Sequence, residues 1–308
     1  MNRLFSFRRG ISLVEVLITI AIVGILMFLL LYAILAGRES ARDASCKNNL
    51  RQIGIACLNF ENAKSKYPIH SLKAFSVQAI LLPYMGSSTF EVLDFGVLSY
   101  AEPNRKVIRH NVAAYYCPSN PVAPDQFYAA NQDFVSYIAN LGSNRPSPND
   151  GAFGDFRNRS LSTFRDGTST TLAFVEAMTC VSKTGAEENT QLGGIYQTER
   201  FYNYPEEEAE FIEACLHGDN FRTFNSLGQE WKKAALPGTY CNTFLPPNSP
   251  NCLNGGSARG GNFSASSQHG GIVNCQFVDG SVRGVSEDVS REIWQAMGTI
   301  SKGEVLSE

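Results

Sequence analysis

The sequence predicts an α+β protein. One long N-terminal helix, transmembrane in its first half, continues into a globular head with an antiparallel β-sheet and long loops. Three observations carry this prediction. Residues 16–36 contain no charged side chain. Leu50, Ile53, Cys57 and Phe60 then recur at helical spacing on one stripe. Near the C-terminal end, two β-rich runs flank Asp279-Gly280, a dipeptide that favours tight hairpin turns.

The uncharged run is 21 residues long. At a rise of about 1.5 Å per residue it reaches about 30 Å, the thickness of a hydrocarbon core. Arg3, Arg8 and Arg9 precede it, which places the N-terminus on the cytoplasmic side. Arg38 and Arg42 stand on the other flank, so the orientation rests on the first cluster. A secretory signal has a shorter apolar region, of roughly 7–15 residues, ending at a small-residue cleavage site, and Ile34 and Ala36 make a poor one. A plain membrane anchor explains the length but not Glu15 at the start of the run, because a carboxylate in lipid is costly unless it lies near the interface or has a partner.

The stretch Gly10-Ile11-Ser12-Leu13-Val14-Glu15, preceded by two arginines and followed by the apolar run, resembles the processing site of type IV prepilins and type II secretion pseudopilins. The resemblance implies cleavage after Gly10 by a membrane prepilin peptidase and methylation of the new amine on Ile11. Glu15 then becomes the fifth residue of the mature chain. Its carboxylate would pair with the methylated ammonium of an adjacent subunit and set the axial register between copies, the best-attested use of a buried charge. Residues 1–10 are thus read as a leader and residues 11–36 as the transmembrane and assembly helix.

Residues 37–63 are read as the amphipathic continuation of that helix, ended by a polar run around Lys64 and by Pro68. Gly54 is its one weak point. Residues 64–308 form the head. Residues 78–84 read as a short helix, residues 134–139 and 170–175 as strands, and Asp166-Gly167 as a turn. Residues 255–271, rich in Gly and Ser, read as a loop, and they lack the lysine a phosphate-binding loop needs. A last helix is expected over residues 286–296. The acidic run at 206–210 reads as a solvated face or loop.

The eight cysteines are widely spaced and include no C-x-x-C, which argues against a zinc ribbon and leaves disulfides as the leading reading for a head outside the cytoplasm. Cys46 and Cys57 are about 16 Å apart along the helix, too far to bond to each other. Cys117 is the first choice of partner for Cys46. Cys241 and Cys252 bracket the loop containing Pro246-Pro247-Asn248-Ser249-Pro250, and a bond between them would close it, with Cys215 an equal claimant.

His269, nine residues and then Asp279-Gly280 resemble the H-x9-DG signature at the C-terminal end of many bacterial prepilin-type proteins. Residues 46–54, Cys117-Pro118-Ser119, residues 166–172, residues 245–250 and the hairpin at 269–285 resemble blocks of one large family, the domain of unknown function 1559 family. That resemblance implies a pseudopilin-like architecture and no activity. His269 and Asp279 with Ser266 or Ser267 could be drawn as a catalytic set, but no nucleophile elbow accompanies them. Structural roles for His269, Asp279 and Gly280 are the simpler reading. Asn149-Asp150-Gly151 and Asp155 offer hard oxygens without a complete calcium loop.

The expectation is therefore a non-enzymatic structural or cargo-recognising subunit without a cofactor or resident metal. It sits in the inner membrane with its head periplasmic, beside other pilin-like subunits. A net charge of −3 offers no basic face for nucleic acid. The rival is a membrane-anchored hydrolase or carbohydrate-binding domain.

Overall fold

The computed structural model describes residues 12–107, 112–122, 124–125, 134–143, 149–154, 159–179, 194–217, 227–228 and 230–301. The leader at 1–10, Gly10 itself, Ile11, His110, Asp155 and Cys180 lie outside them. The chain divides into two units, Met1–Arg42 and Asp43–Glu308. Helix α1 (Leu13–Lys64) supplies residues to both.

In the first unit every residue of α1 from Leu13 to Arg38 is exposed. Met27, Phe28 and Tyr32 stand 67%, 71% and 72% open. A helix that is apolar on all sides and uncovered suits a hydrocarbon layer or the apolar helices of other chains.

In the second unit α1 contributes a buried face of Cys46, Leu50, Ile53, Gly54, Ala56 and Cys57, with Phe60 half-buried at its end. Gly54 has a structural reason. A Cβ there would lie 3.0 Å from Gln276 Nε2 and 3.2 Å from the Gly280 Cα. Its missing side chain lets helix and sheet approach closely, which outweighs its poor helix propensity.

In chain order the head adds the hairpin β1–β2 (Ser71–Leu72, Phe75–Ser76), helix α2 (Val77–Leu81), β3 (Tyr137–Asn140), β4 (Leu172–Glu176) and β5 (Ile195–Gln197). Helix α3 (Glu208–His217) follows, then β6 (Tyr240–Cys241), β7 (Asn251–Asn254), β8 (Ser257–Asn262), β9 (Ile272–Phe277), β10 (Val282–Ser286) and helix α4 (Arg291–Gly298). Five strands form the main sheet in the order β10-β9-β4-β3-β6, antiparallel except for the parallel β3–β6 pair. A smaller sheet runs β5-β7-β8. β3 and β4 are buried throughout, because the sheet is covered on both faces in this region.

Three expectations need correction. The Gly/Ser-rich stretch is not all loop: residues 257–262 form β8 against β7. A Cβ at Gly261 would lie 2.5 Å from the Cys252 carbonyl oxygen, so the glycines that signal a loop here permit strand contact. The last helix starts later, because residues up to Ser286 still pair with β9 and Ser290 is the residue whose side chain caps the Ile293 amide. The strand expected at 134–139 is shifted, to Tyr137–Asn140.

Asn140, fully buried at the end of β3, ties three segments together. Its Nδ2 donates to the carbonyls of Leu172 (2.9 Å) and Gly298 (2.8 Å), and its Oδ1 accepts from the Gly142 amide (2.9 Å). Asn140→Ala should lower the stability of the full chain in detergent by about 3 kcal/mol, because it leaves buried backbone groups unsatisfied. Urea unfolding read by tryptophan fluorescence would measure it, and an unchanged midpoint would mean that other partners take over.

Candidate functional site

The start of α1 is held by a reciprocal pair of hydrogen bonds. The Ser12 amide donates to Glu15 Oε2 (2.8 Å) and the Glu15 amide donates to Ser12 Oγ (3.2 Å). This is a capping box: two amides with no intrahelical acceptor are satisfied by the side chains of one Ser-x-x-Glu unit. The spacing was legible at Ser12 and Glu15, but the carboxylate's place at the edge of an apolar run drew attention to assembly instead. Glu15 therefore has a local role within its own chain.

A second constellation lies in the head. Cys46 of α1 is joined to Cys117 by a disulfide, with Cα atoms 5.0 Å apart. Beside it are Glu176, the last residue of β4, and His269, which precedes β9. His269 Nε2 lies 3.5 Å from Glu176 Oε1 and 3.7 Å from Cys117 Sγ. The side chains of His269 and Glu176 are only 2% and 3% exposed. His269 is aimed inward by a tight turn in which Gly270 and Gly271 have φ of 53° and 82° and His269 bridges to Ile272. Its own amide donates to Ser267 Oγ (3.2 Å).

Glu176 is fixed by β9. The Asn274 amide donates to Glu176 Oε2 (3.0 Å), and Asn274 Nδ2 donates to Oε1 (3.1 Å). The same Nδ2 reaches Asp43 Oδ1 (2.7 Å), and Lys47 Nζ pairs with Asp43 Oδ2 (2.7 Å). Partial burial raises the Asp43 carboxyl, but the hydrogen bonds from Lys47 and Asn274, with the Lys47 charge, outweigh it and hold the group below the usual aspartate value. Sequence reasoning missed Glu176 and Asn274. A carboxylate that ends an apolar strand reads as the point where the strand meets water.

Asp279 and Gly280 work at the other end of β9. Asp279 Oδ1 accepts from the Ser281 amide (2.9 Å) and hydroxyl (2.6 Å). Of the two residues only Gly280 has a positive φ, 87°. The Gly280 amide donates to the Phe277 carbonyl (2.8 Å), and the Phe277 amide donates to the Ser281 carbonyl (2.9 Å). The connection is therefore a three-residue hairpin with a glycine bulge, where the sequence suggests a two-residue turn with both central residues at positive φ. Six residues of β9, about 20 Å of strand, separate this turn from the His269 end. Ser266 Oγ accepts from the Met178 amide (2.9 Å), and Asp279, at the far end of β9, is out of reach of both the serine and His269.

The remaining cysteines divide differently from one sequence reading. Cys215 of α3 bonds to Cys252 of β7, and Cys241 is a free thiol. Phe211 and Cys215, one helical turn apart, pack on Phe244, Leu245 and Cys252 in a small second core, which places Cys215 rather than Cys241 against Cys252. Burial pushes the Cys57 thiol up to about 12 and raises those of Cys241 and Cys275 as well, so all three stay protonated at neutral pH. Asp150 serves its loop, with Oδ1 accepting from the Ser143 amide (2.8 Å). In the acidic run, Glu207 and Glu210 clamp Arg200 at 2.7 and 2.6 Å.

Two sequence families match the chain. The family described as "Protein of unknown function (DUF1559)" matches residues 35–292. The "Prokaryotic N-terminal methylation motif" matches residues 6–31. No curated protein and no solved structure is detectably similar to the chain.

The Asp43 network gives the head an acid-sensitive component. The folded value of Asp43 lies below the unfolded one, so its contribution is full above about pH 4 and is lost as pH falls through the folded value. Asp43→Asn should be less stable than the parent at pH 7, and the gap between the two melting temperatures should shrink as pH falls below about 4 and through the folded value. Melts followed by circular dichroism across that range test this, and a constant gap would remove Asp43 from the acid response.

Proposed function

We infer an assembly-subunit role from two facts: the chain belongs to the DUF1559 family of proteins of unknown function, and it carries a prokaryotic N-terminal methylation motif. The motif implies processing by a prepilin peptidase and assembly with pilin-like subunits, and makes the chain pilin- or pseudopilin-like. The apolar first unit of α1 fits anchoring in a membrane.

In the proposed sequence of events the chain inserts with its arginine-rich N-terminus in the cytoplasm and its head outside the inner membrane. The peptidase cuts after Gly10, where the absent side chain leaves the backbone accessible, and the amine of Ile11 is methylated. The processed helix then joins a type II secretion or type IV pilus-like assembly. The head acts there as a structural or cargo-recognising part, without catalysis. Two disulfides among the described residues accord with a head outside the cytoplasm.

The observation that carries this reading is the exposed helix surface with one carboxylate. Glu15 is the only acidic residue between Leu13 and Ala36, and every large apolar side chain around it is uncovered. Packed among other apolar helices, a lone carboxylate is stabilised by a cation from a neighbour at close range, because the Coulomb attraction is strong where the dielectric is low. The freed, methylated amine of an adjacent copy is such a cation. Ser12 occupies Oε2 only in part, since a carboxylate has about four lone-pair sites.

Mass spectrometry of the native protein should find Ile11 at the N-terminus, one methyl group heavier. Glu15→Leu should leave cleavage and membrane insertion unchanged and reduce recovery with other pilin-like subunits at least about tenfold. A native chain that still begins at Met1 would reduce the helix to an anchor. Normal co-assembly of Glu15→Leu would leave Glu15 with its capping role alone.

A further inference from the structure

We propose that Cys46, Cys117, Glu176 and His269 form a tetrahedral site for a zinc-class divalent ion, closed while the Cys46–Cys117 disulfide is formed and opened by its reduction. This does not rest on the assembly role.

Each of the four residues offers one ligand atom, the four atoms lie within 4.8 Å of one another, and all four residues are buried. Cys46 is fully buried, and Cys117, Glu176 and His269 are 6%, 2% and 5% exposed. Zinc bonds of about 2.3 Å to sulfur and about 2.0–2.2 Å to nitrogen and oxygen require ligand-to-ligand edges of about 3.4–3.6 Å in a tetrahedron. The observed edges are 3.5 Å from His269 Nε2 to Glu176 Oε1, 3.7 Å from Cys117 Sγ to His269 Nε2 and 3.8 Å from Cys117 Sγ to Glu176 Oε1. Three of the six edges are thus within a few tenths of an ångström of the required values before any ion enters. The sulfur–sulfur edge must lengthen to about 3.8 Å, for which the 5.0 Å Cα separation leaves room, and the two edges from Cys46 Sγ to His269 and Glu176 lie within 4.8 Å.

The surroundings are those of a held ligand set. Asn274 orients the Glu176 carboxylate with two hydrogen bonds and is itself tied to Asp43. Ser267 fixes the backbone of His269. Cys117 and Glu176, with Ser266, Ser267 and Gln268, also line a small cavity of about 10 Å³, room for about one water. A disulfide alone has no need of an imidazole and a carboxylate buried against it, and burying that pair carries a desolvation cost. The ligand set selects the ion: two thiolates and an imidazole favour zinc over magnesium or calcium.

The chemistry balances with a dithiol-class reductant. It delivers two electrons and two protons to the Cys46–Cys117 bond, which breaks to give two thiols, while the reductant becomes a disulfide. Entry of the ion displaces both thiol protons to solvent. The product holds a 2+ ion among two thiolates, one carboxylate and a neutral imidazole, with a net charge of −1.

The test uses the full chain in detergent, a phosphine reductant and Co²⁺ as the probe. The phosphine takes an oxygen atom from water as it is oxidised, and the water's two protons go to the thiols. The reduced chain should bind one equivalent of Co²⁺, with the near-ultraviolet thiolate charge-transfer band and the visible bands of a tetrahedral ion, and one equivalent of Zn²⁺ should abolish them. The oxidised chain should show neither band. Cys46→Ser and Glu176→Gln should each weaken binding at least about tenfold, and Glu176→Gln keeps the shape of the side chain if Cys46→Ser fails to fold. Cys215→Ser combined with Cys252→Ser should retain the bands. Bound Zn²⁺ should also protect Cys46 and Cys117 from alkylation, read by mass spectrometry. Absent bands in the reduced parent, bands in the oxidised parent, or bands unaffected by Cys46→Ser or Glu176→Gln would each overturn the proposal.

Discussion

The head is organised around one demand: the carboxylate of Glu176 sits at the end of a central strand with almost no access to water. Removing a partner from a buried charge costs about 3–5 kcal/mol, so its partners are constrained more tightly than ordinary core residues. They come from separate parts of the chain. Asn274 is in β9 and also reaches Asp43 of α1, and His269 is in the turn before β9, beside the loop that the Cys46–Cys117 disulfide ties to α1. Satisfying one group therefore fixes helix, sheet and loop together. The disulfide adds a covalent tie across a sequence separation of 71, which by loop-closure entropy alone is worth roughly 4 kcal/mol.

The two units of the chain face opposite problems. The first exposes apolar surface on every side of a helix, and the acid at the edge of its apolar run, Glu15, is held by a capping box. The second encloses polar side chains, Gln78, Asn140, Glu176, Asn274 and His269 among them, and meets the cost with dense hydrogen bonding. Gln78 Nε2, for example, donates to the carbonyls of Tyr137 (3.1 Å) and Thr239 (3.0 Å). The first unit thus needs surroundings that the chain alone does not supply. The second pairs most of its buried polar groups internally, and leaves Gln78 Oε1 and Asn274 Oδ1 buried without a hydrogen-bond partner among the described residues.

That contrast decides what could be read in advance. The long helix was legible because an apolar run and a 3.6-residue stripe are local signals, and the hairpin because Asp-Gly between β-rich runs is another. Helix rise excluded Cys46–Cys57 and so pointed Cys46 toward the head, while Cys117 was only the first choice among the head's cysteines, and it is the one that bonds. Glu176, Asn274 and Asn140 were not legible, since nothing local separates a buried polar residue with distant partners from an exposed one. β8 was hidden because its glycines serve close packing, and Cys215–Cys252 because it depends on where α3 docks. Even the hairpin was legible only in outline: Gly280 alone takes the positive φ, and the turn is one residue longer than its dipeptide suggests.

The spacing between His269 and Asp279-Gly280 takes on a physical meaning once α1 and β9 are compared. Asn274 meets Asp43, Gln276 lies against Gly54, and Gly280 lies against Leu58. Strand and helix therefore run in the same direction along their contact. From 43 to 58 the helix rises about 22 Å, while β9 advances about 10 Å from Asn274 to its last residue, Phe277, and the turn carries the chain on to Gly280. One end of β9 presents the buried polar cluster to the start of this helical face. The other end turns back at Gly280, beside Leu58, where the φ of 87° suits a residue without a Cβ. The interval between the histidine and the glycine thus spaces the polar cluster and the turn against one helix. Adding or removing one residue would flip the faces of the strand and take Asn274 and Gln276 away from their partners at once. A fixed spacing of this kind arises from packing two elements of different rise, and it requires no reaction between the residues at its ends.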